Sequence, residues 1–444
     1  MTEDRLTATA EREAGTQHLD VLDRVLQVAR SDDYQGYSKH DGLNSPLLAR
    51  VGGESRLRRL GAIQVVTRSP VDIRPLVGVR KARNAKGLSL FARALLARHR
   101  MTVLSRGDDP AIPPAPPDGG KTVLSRGDDP PIPPAPPDGG KTEADDAREA
   151  RELLDWLIEH PAPGFEWLCW GYPYPWQDVG FFAPRDFPNR VVTSFVGQAL
   201  LDGYETLRDD RYLDAARHAV RFLLEAPKTL YEDDDRRCVS YVPDLSVDWI
   251  VMDVSALAGA LAARLGALTD DKELAREGGR LVRYVVSKQT DYGAWFYADP
   301  PSASHITHDN YHTGFILDAI LQYGLVTDSD EFESAYRRGI EFYERRLFEP
   351  DGAARFMSDR RYPVDIHGCA QGIITFSLQQ RHRGAGAETA ARVLAWTLGH
   401  MWDPGSGWFY YQRRRGYRTR IRELRWCQGW MSWALASYLE NCGG

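Results

Sequence analysis

Three histidines fall within eight residues of a polar, aromatic stretch, at positions 305, 308 and 312. His308 and His312 are four residues apart, so they share one face if this stretch is helical. That spacing suits a general acid/base pair or two metal ligands. The metalloprotease signature requires Glu directly after the first His, and Asp309 occupies that position. We therefore favour proton transfer by His308, His312 and Asp309 over a metal site. The alternative is that one His caps a helix and the other bonds within the core.

A second polar group follows in the segment DIHGCAQ, which contains Asp365, His367 and Gln371. Asp365 suits a helix N-cap. His367 would lie just inside a helix rich in small residues, where a buried imidazole needs a polar partner. We predict that Asp365 and His367 contribute to catalysis and that Gln371 contacts the substrate.

Aromatic residues accompany these groups in two other places. The loop 170–178 (WGYPYPWQD) contains two prolines that prevent a helix, and exposed rings in a loop favour a binding wall. Segment 422–430 (RELRWCQGW) places Trp beside Arg, which suits stacking on a sugar and pairing with a carboxylate. Core Trp with surface Arg is an equally simple interpretation. Including residues at other predicted helix starts, the expected substrate-binding set is Asn84, Lys86, Tyr172, Trp176, Asp178, Arg190, Asp248, Gln371, Arg425, Trp426 and Gln428.

These residues lie near the starts of helices that recur with a regular period. Helices that are apolar nearly all round begin near Asn84, Arg190, Asp248, Asp309, Asp365 and Arg425. The last five starts are separated by 58, 61, 56 and 60 residues, a spacing typical of repeat architectures. One-sided amphipathic helices lie between them. Helices buried on every side form an inner ring and one-sided helices an outer ring, so we predict an all-α (α/α)6 toroid of six helical hairpins.

In such a toroid the N-termini of the inner helices gather at one end of the axis. Polar residues far apart in sequence then converge, and free N–H groups favour an anionic ligand such as a carboxylate. The Gly-aromatic runs at 293–297 and 407–411 predict short β-hairpins that line this mouth.

Residues 102–121 recur at 122–141 with one change, Ala111 against Pro131. Their Pro and Gly content predicts an inert, disordered insertion, with a proline-rich ligand as the alternative. We therefore expect a disordered tail over 1–17, the first part of the toroid over 18–101, the insertion over 102–143 and the remainder over 144–444.

Composition excludes several classes of protein. The net charge of −6 is mild and argues against nucleic-acid binding. The five Cys include no CxxC, which argues against a disulfide framework and a zinc site. The first 15 residues lack the apolar core of a signal peptide, so we predict a cytoplasmic protein. There is no P-loop and no dinucleotide fingerprint, and we expect neither a cofactor nor a metal.

Four segments together resemble the AglQ-like family of archaeal and bacterial N-glycan and polysaccharide biosynthesis proteins. They are SPVDIRPLVGVRKARNAKGLSLFARALL, NRVVTSFVGQALLDGYE, HDNYHTGFILDAI and DIHGCAQGIITF. The resemblance implies a toroid similar to glycosidases and sugar epimerases. It also implies a hexuronic acid of a lipid-linked glycan as substrate, with peripheral contact to the membrane-bound carrier. Where the family shows Asn-Pro-Lys-Gly, this chain has Ala85 in place of Pro, and the duplicated insertion is foreign to the family.

Three functions remain open at this point. A uronate epimerase or isomerase would take its acid and base from His308, His312 or His367, and its cation from Arg190, Lys86 or Arg425. A glycoside hydrolase or lyase would use two carboxylates, drawn from Asp178, Asp248, Asp253, Asp309 and Asp365. A non-catalytic glycan-binding toroid needs neither set.

Overall fold

Six helices form an inner ring in which each helix contacts the next. A computed structural model describes residues 3–69, 71–105, 145–178 and 181–443. The inner helices are α4 (Ala85–Ser105), α6 (Arg190–Leu207), α8 (Met252–Leu268), α10 (Asn310–Thr327), α12 (Ile366–Arg383) and α14 (Trp430–Cys442). Consecutive members of this series contact each other, and α14 contacts α4, so the ring is closed.

An outer helix packs on each member of the inner ring. The outer helices are α5 (Asp145–Glu159), α7 (Asp210–Glu225), α9 (Lys272–Ser287), α11 (Glu333–Leu347), α13 (Ala387–Met401) and, against α14, the N-terminal α1 (Glu3–Ser31). The predicted all-α (α/α)6 toroid is therefore confirmed. None of the described helices is both long and apolar enough to span a membrane.

The amphipathic pattern explains which helices lie outside. On α7 the apolar residues fall on one face and are buried; they are Tyr212, Ala215, Ala219, Phe222 and Leu223. Two outer helices also have side-chain N-caps, since Asp209 accepts from the Arg211 N–H and Asp271 from the Leu274 N–H. Inner helices use small residues to approach their neighbours. A Cβ on Gly259 of α8 would lie 2.6 Å from the Gly278 carbonyl oxygen of α9.

Every described strand falls in a connection that leads from an outer helix to the next inner helix. The antiparallel pairs are β1 (Gln35–Gly36) with β2 (Ala82–Arg83), β3 (Trp176–Gln177) with β4 (Phe182–Ala183), β5 (Thr229–Glu232) with β6 (Arg237–Val239), β7 (Ile250–Val251) with β8 (Ala298–Asp299), and β10 (Trp402–Asp403) with β11 (Trp408–Phe409). A three-stranded sheet has the order β13 (Arg418–Thr419), β12 (Gln412–Arg413), β9 (Val364–Asp365). These strands ring the mouth at the N-terminal ends of the inner helices.

Four features differ from the sequence-based expectation. A hairpin forms at 402–409, but the run at 293–297 leads into β8, which pairs with β7 instead. Helix α1 begins at Glu3, inside the predicted tail, because the Ala- and Glu-rich start favours a helix. Two further helices, α2 (Pro46–Gly52) and α3 (Arg56–Arg68), stand outside the repeat. A π-helical turn, Leu424–Gly429, precedes α14. The predicted insertion lies outside the described residues from position 106 to its end.

Candidate active site

Four inner helices meet around one lysine at the mouth of the toroid. Lys86, in the first turn of α4, places its Nζ 3.9 Å from the ring centre of Phe195 on α6. Phe315 of α10 and Trp430 of α14 follow at 5.0 and 5.2 Å. Lys86 is 3% exposed, and burial together with Arg425 holds its pKa well below the ordinary value. We call Lys86 and these three rings the floor of the site.

His367, in the first turn of α12, is held by aromatic rings. Its imidazole stacks on Tyr311 at 4.2 Å and contacts Trp430 at 4.1 Å and Trp426 at 4.5 Å. It is 1% exposed, and neither ring nitrogen has a hydrogen-bond partner among the described residues. Burial, reinforced by the positive charge of Lys86, holds the pKa of His367 well below its ordinary value. His367 is therefore a neutral imidazole with a free lone pair.

The second histidine of the site has the opposite electrostatic environment. His312 Nδ1 donates to Asp309 Oδ2 over 2.6 Å, and the ring contacts Tyr311 at 4.1 Å and Tyr297 at 4.5 Å. Burial lowers the pKa of His312, but the carboxylates of Asp309 and Asp253 outweigh it, and the net pKa is raised. Tyr311 thus contacts both histidines, one inclined to hold a proton and the other not.

Asp253 supplies a third titratable group, from the first turn of α8. The residue is 1% exposed, and its Oδ1 has no partner in the described part of the chain. Burial raises the pKa of this carboxyl, against the opposing influence of His312 and Lys86. Asp253 can therefore carry a proton nearer to neutral pH than an ordinary Asp.

Asp365 is occupied by three hydrogen bonds that fix the surrounding groups. It accepts from the backbone N–H of His367 at 3.0 Å, from Trp426 Nε1 at 2.7 Å and from Gln412 Nε2 at 2.8 Å. The predicted N-cap is thus correct. Its role is to set the start of α12 and the plane of Trp426, both of which position His367.

Two further cations stand above aromatic rings at the wall of the site. Lys39 Nζ lies 3.8 Å from the Trp426 ring centre, and the Arg425 guanidinium lies 5.1 Å from Trp426 and 5.2 Å from Tyr172. Neither forms an ion pair with a described carboxylate, and Arg425 Nε has no hydrogen-bond partner there. Tyr172 contacts Trp176 edge to face at 5.6 Å. The aromatic loop 170–178 therefore lies beside Arg425 and forms a wall there, while its predicted role in substrate binding stays a prediction.

A buried ionic network holds the segment that carries Lys39. Arg74 is fully buried and donates to Asp41 at 2.8 Å, to Glu423 at 2.9 Å and to the Ser38 carbonyl at 3.2 Å. Burial raises the pKa of Glu423 to about 7, and its Oε2 has no partner among the described residues. The network ties residues 38–41 to the residue directly before the π-helical turn, and so places Lys39 beside Arg425.

The structure directs His308 away from the site. Its Nδ1 donates to the Trp295 carbonyl at 2.8 Å, and its Nε2 accepts from the Tyr292 hydroxyl at 3.0 Å. Its ring also packs against Phe342 of the outer helix α11. Both nitrogens are occupied, so the predicted pairing of His308 with His312 is not present. Helix α10 begins only at Asn310, and the helical i, i+4 rule does not apply across its start.

Arg190 is also a structural residue. It is fully buried, and its guanidinium donates to the carbonyls of Leu223, Ala226, Pro227 and Ser240. These acceptors leave no donor for a substrate carboxylate, which corrects the predicted binding role. The reason is that the end of α7 presents its unpaired carbonyls to the first residue of α6.

Four other predicted binding residues serve the scaffold. Asn84 caps α4 through the Gly87 N–H, and Gln428 bonds the backbone of Gly407 and Phe409. Gln371 donates to Asp318 and Thr375, one turn or more beyond the mouth. Asp248 is exposed and pairs with Lys228. Asp178 stays at the rim, close enough for its charge to influence Tyr297.

Sequence reasoning missed Lys39, Tyr297 and Tyr311. Two signals were available, since the chain has only eight Lys and Tyr311 lies between the two histidines chosen. As for metal, the described residues contain no group of three or more His, Cys, Asp and Glu side chains placed to hold an ion.

No family model matches the chain, and no curated protein does. Solved structures do share its arrangement. Cellobiose 2-epimerase from Bacillus thermoamylovorans has a TM-score of 0.57 at 12% identity, over 81% of this chain and 88% of that one. A polysaccharide lyase has a TM-score of 0.55 at 9% identity, over 97% of both chains. A GH76 α-mannanase from Bacteroides thetaiotaomicron has a TM-score of 0.51 at 12% identity, over 81% of this chain and 85% of that one.

At these identities the likeness shows the fold and leaves the reaction open. The toroid implied by the AglQ-like resemblance is confirmed, while the family itself stays a prediction. The chain folds as the (α/α)6 toroid found in a sugar epimerase, a polysaccharide lyase and a glycoside hydrolase.

Proposed function

We propose that the protein is a carbohydrate-processing enzyme that epimerises or isomerises a hexuronic acid during assembly of a surface N-glycan. The observation that carries the reaction type is the pair His312 and His367, whose pKa values are displaced in opposite directions on either side of Tyr311. The sugar class and the N-glycan context rest on the four segments that resemble AglQ-like proteins.

Inverting a carbon next to a carboxylate requires a base on one face and an acid on the other. Neutral His367 has a free lone pair to take the proton, and His312, whose pKa is raised by Asp309 and Asp253 against the effect of burial, can deliver one. Two titratable groups whose environments separate their pKa values are the usual mark of such an assignment. The proton leaves the sugar carbon for His367, and His312 returns a proton to the same carbon from the opposite face.

The intermediate of this reaction carries negative charge delocalised onto the substrate carboxylate. Arg425 and Lys39 are cations without a carboxylate partner in the described part of the chain, so they are available to the substrate. In a largely desolvated site such groups stabilise developing charge strongly. The wall formed by Tyr172, Trp176 and Trp426 offers ring faces on which a sugar can stack.

A glycoside hydrolase is the second candidate, favoured by Asp253. A hydrolase needs one protonated carboxyl beside one ionised carboxylate. Asp253 has the raised pKa of the acid, and Asp309 would be the other group. In that case His312 would serve mainly to hold Asp309.

Solvent deuterium separates these reactions. We would incubate the purified protein in D2O with uronic acids and uronate-containing oligosaccharides, and follow carbon-bound deuterium by NMR and mass spectrometry. Deuterium at the carbon next to the carboxylate, with no glycosidic cleavage, is the expected result. Release of reducing sugar without deuterium would identify a hydrolase, and an unsaturated uronate would identify a lyase. Binding with neither change would indicate a non-catalytic toroid. The N-glycan context is tested by sugar analysis and mass spectrometry of surface glycans from a deletion strain.

A further inference from the structure

Helices α2 and α3, which stand outside the repeat, expose an unusual amount of apolar surface. Thirteen large hydrophobic side chains are exposed in the described residues, and six of them lie within thirty positions. They are Leu47, Val51, Leu57, Val65, Val71 and Leu76, between 56% and 84% exposed. We call residues 46–83, which hold α2, α3 and the loop that follows, the basic hairpin.

The same segment carries a concentrated positive charge. The basic hairpin has nine Arg and Lys against two Asp and Glu, a formal charge of +7 in a chain of −6. One of the nine, Arg74, is buried in the ionic network described above. Six others form no ion pair with a described residue; they are Arg50, Arg56, Arg58, Arg59, Arg68 and Arg80. An unneutralised cluster on an otherwise acidic molecule indicates an anionic partner.

The apolar and basic side chains share one outward face of α3. Leu57, Val65 and Arg68 point outward at helical spacing. Gly61 lies between them, and a Cβ there would meet nothing within 4 Å. The opposite face, with Ala62 and Ile63, is buried. On α2, Leu47 and Val51 are one turn apart and both exposed. The outward face is therefore open over its length.

The basic hairpin borders the mouth of the candidate site. Ile63 belongs to a small core against which Trp176 of the aromatic wall packs. The Arg59 guanidinium lies 4.0 Å from the Phe182 ring centre in the strand that follows this wall. A planar surface that binds α2 and α3 would therefore also lie close to the rim of the candidate site.

We propose that the basic hairpin docks the protein on an anionic lipid bilayer. Interspersed aliphatic and basic side chains suit an interface where the apolar groups enter the acyl boundary and the cations meet lipid phosphates. A nucleic acid would use the arginines but gain nothing from exposed Leu and Val. The docking does not depend on which reaction the site performs. If the substrate is a lipid-linked sugar, docking brings the mouth of the toroid to the bilayer surface, where that sugar lies.

Vesicle co-sedimentation of the full chain tests the proposal. The vesicles are phosphatidylcholine alone, or an equimolar mixture with phosphatidylglycerol. We expect binding to the mixed vesicles only, weakened by salt. One variant, Leu57→Glu with Val65→Glu, removes apolar contacts, and another, Arg56→Glu with Arg58→Glu, reverses charge. Each should weaken binding at least about tenfold.

The matched control carries Leu325→Glu and Arg337→Glu, which lie outside the basic hairpin. It should bind the anionic vesicles as wild type does. Circular dichroism and Tm verify that all variants fold. The proposal is overturned if wild type ignores anionic vesicles, or if the hairpin variants bind them as well as wild type does. If wild type binds duplex DNA but not vesicles, and both hairpin variants lose DNA binding to the same extent, the surface would instead be assigned to nucleic-acid binding. Deuterium incorporation into a free uronate should be unchanged in the Leu57/Val65 variant, so this test and that of the reaction fail separately.

Discussion

At the residue scale, His367 is held by ring faces and by the backbone. A buried polar group without a hydrogen bond costs about 1–3 kcal/mol relative to a satisfied one. Tyr311, Trp426 and Trp430 fill the space around the ring, and Asp365 fixes the start of its helix. A site that holds an unsatisfied imidazole against this cost is prepared for a partner that arrives with the substrate.

Replacing His367 should separate activity from stability. We expect His367→Phe to lose about 100-fold or more of the deuterium-exchange rate. Its Tm should not fall, because a ring remains in the aromatic cage and the unsatisfied nitrogens are gone. The comparison is His308→Ala, which removes both hydrogen bonds of that side chain. It should lower the free energy of unfolding by about 1–3 kcal/mol. The deuterium-exchange rate per folded molecule should stay at the wild-type value. An active His367→Phe enzyme would remove the proposed base.

The pH dependence of the reaction should report on Asp309. His312 must be protonated to act as acid, so the rate falls as pH rises through its raised pKa. Asp309 is a cause of that elevation, and Asp309→Asn should move the alkaline limb of the kcat/KM profile to lower pH. An unmoved limb would mean that another group limits the reaction at high pH.

The residues that sequence could predict are those whose roles follow from helix starts. His312, His367, Asp365 and Lys86 lie in or beside first turns, and the period locates those turns. His308 stands two residues before its helix, where the chain direction is set by the contacts of Trp295 and Tyr292. Such contacts join residues that no spacing rule relates.

At the element scale, inner-helix starts are predicted well where neither a strand nor the π-helical turn Leu424–Gly429 intervenes. α6 begins at Arg190, as expected. α8 begins four residues later than the predicted Asp248, because Ile250 and Val251 pair with β8 first. α2 and α3 escape prediction since they lie outside the repeat and their outward face is apolar, contrary to the pattern of a surface helix.

The join between α6 and α7 depends on Arg190. Arg190→Met keeps the length of the side chain but leaves four carbonyls without their donor. We expect the free energy of unfolding to fall by about 2–4 kcal/mol, measured by urea denaturation. Arg425→Met provides the contrast, because its guanidinium makes no described ion pair. It should unfold like wild type and bind a uronate less tightly. Equal stability of the Arg190 variant would contradict the structural role assigned here.

At the scale of the whole molecule, the net charge does not show how charge is distributed along the chain. The net charge of −6 argues against a polyanionic partner, yet it conceals +7 over residues 46–83. Only the structure shows that six of its nine cations form no ion pair with a described residue and that the segment borders the mouth. The six repeats, by contrast, do predict a ring, and the outer helix of its last hairpin is the one that comes first in the chain.

That helix, α1, completes the outer ring, and loss of its packing should affect the site. It packs on α14, whose Trp430 belongs to the floor. It also ties to the first hairpin, where Arg30 donates to Glu149 at 2.7 Å. Leu22 and Leu26 are fully buried on α1. Replacing either by Ala should lower the free energy of unfolding by about 2–5 kcal/mol.

Leu19→Ala is the matched control, since Leu19 lies on the same helix and is 39% exposed. It should cost well under 1 kcal/mol, and both sets are measured by urea denaturation. If α1 adds nothing to the stability of the toroid, the buried and exposed replacements will behave alike. If α1 supports α14, the double variant Leu22→Ala with Leu26→Ala should also lose activity below its Tm, because α14 then no longer holds Trp430 against Lys86 and His367.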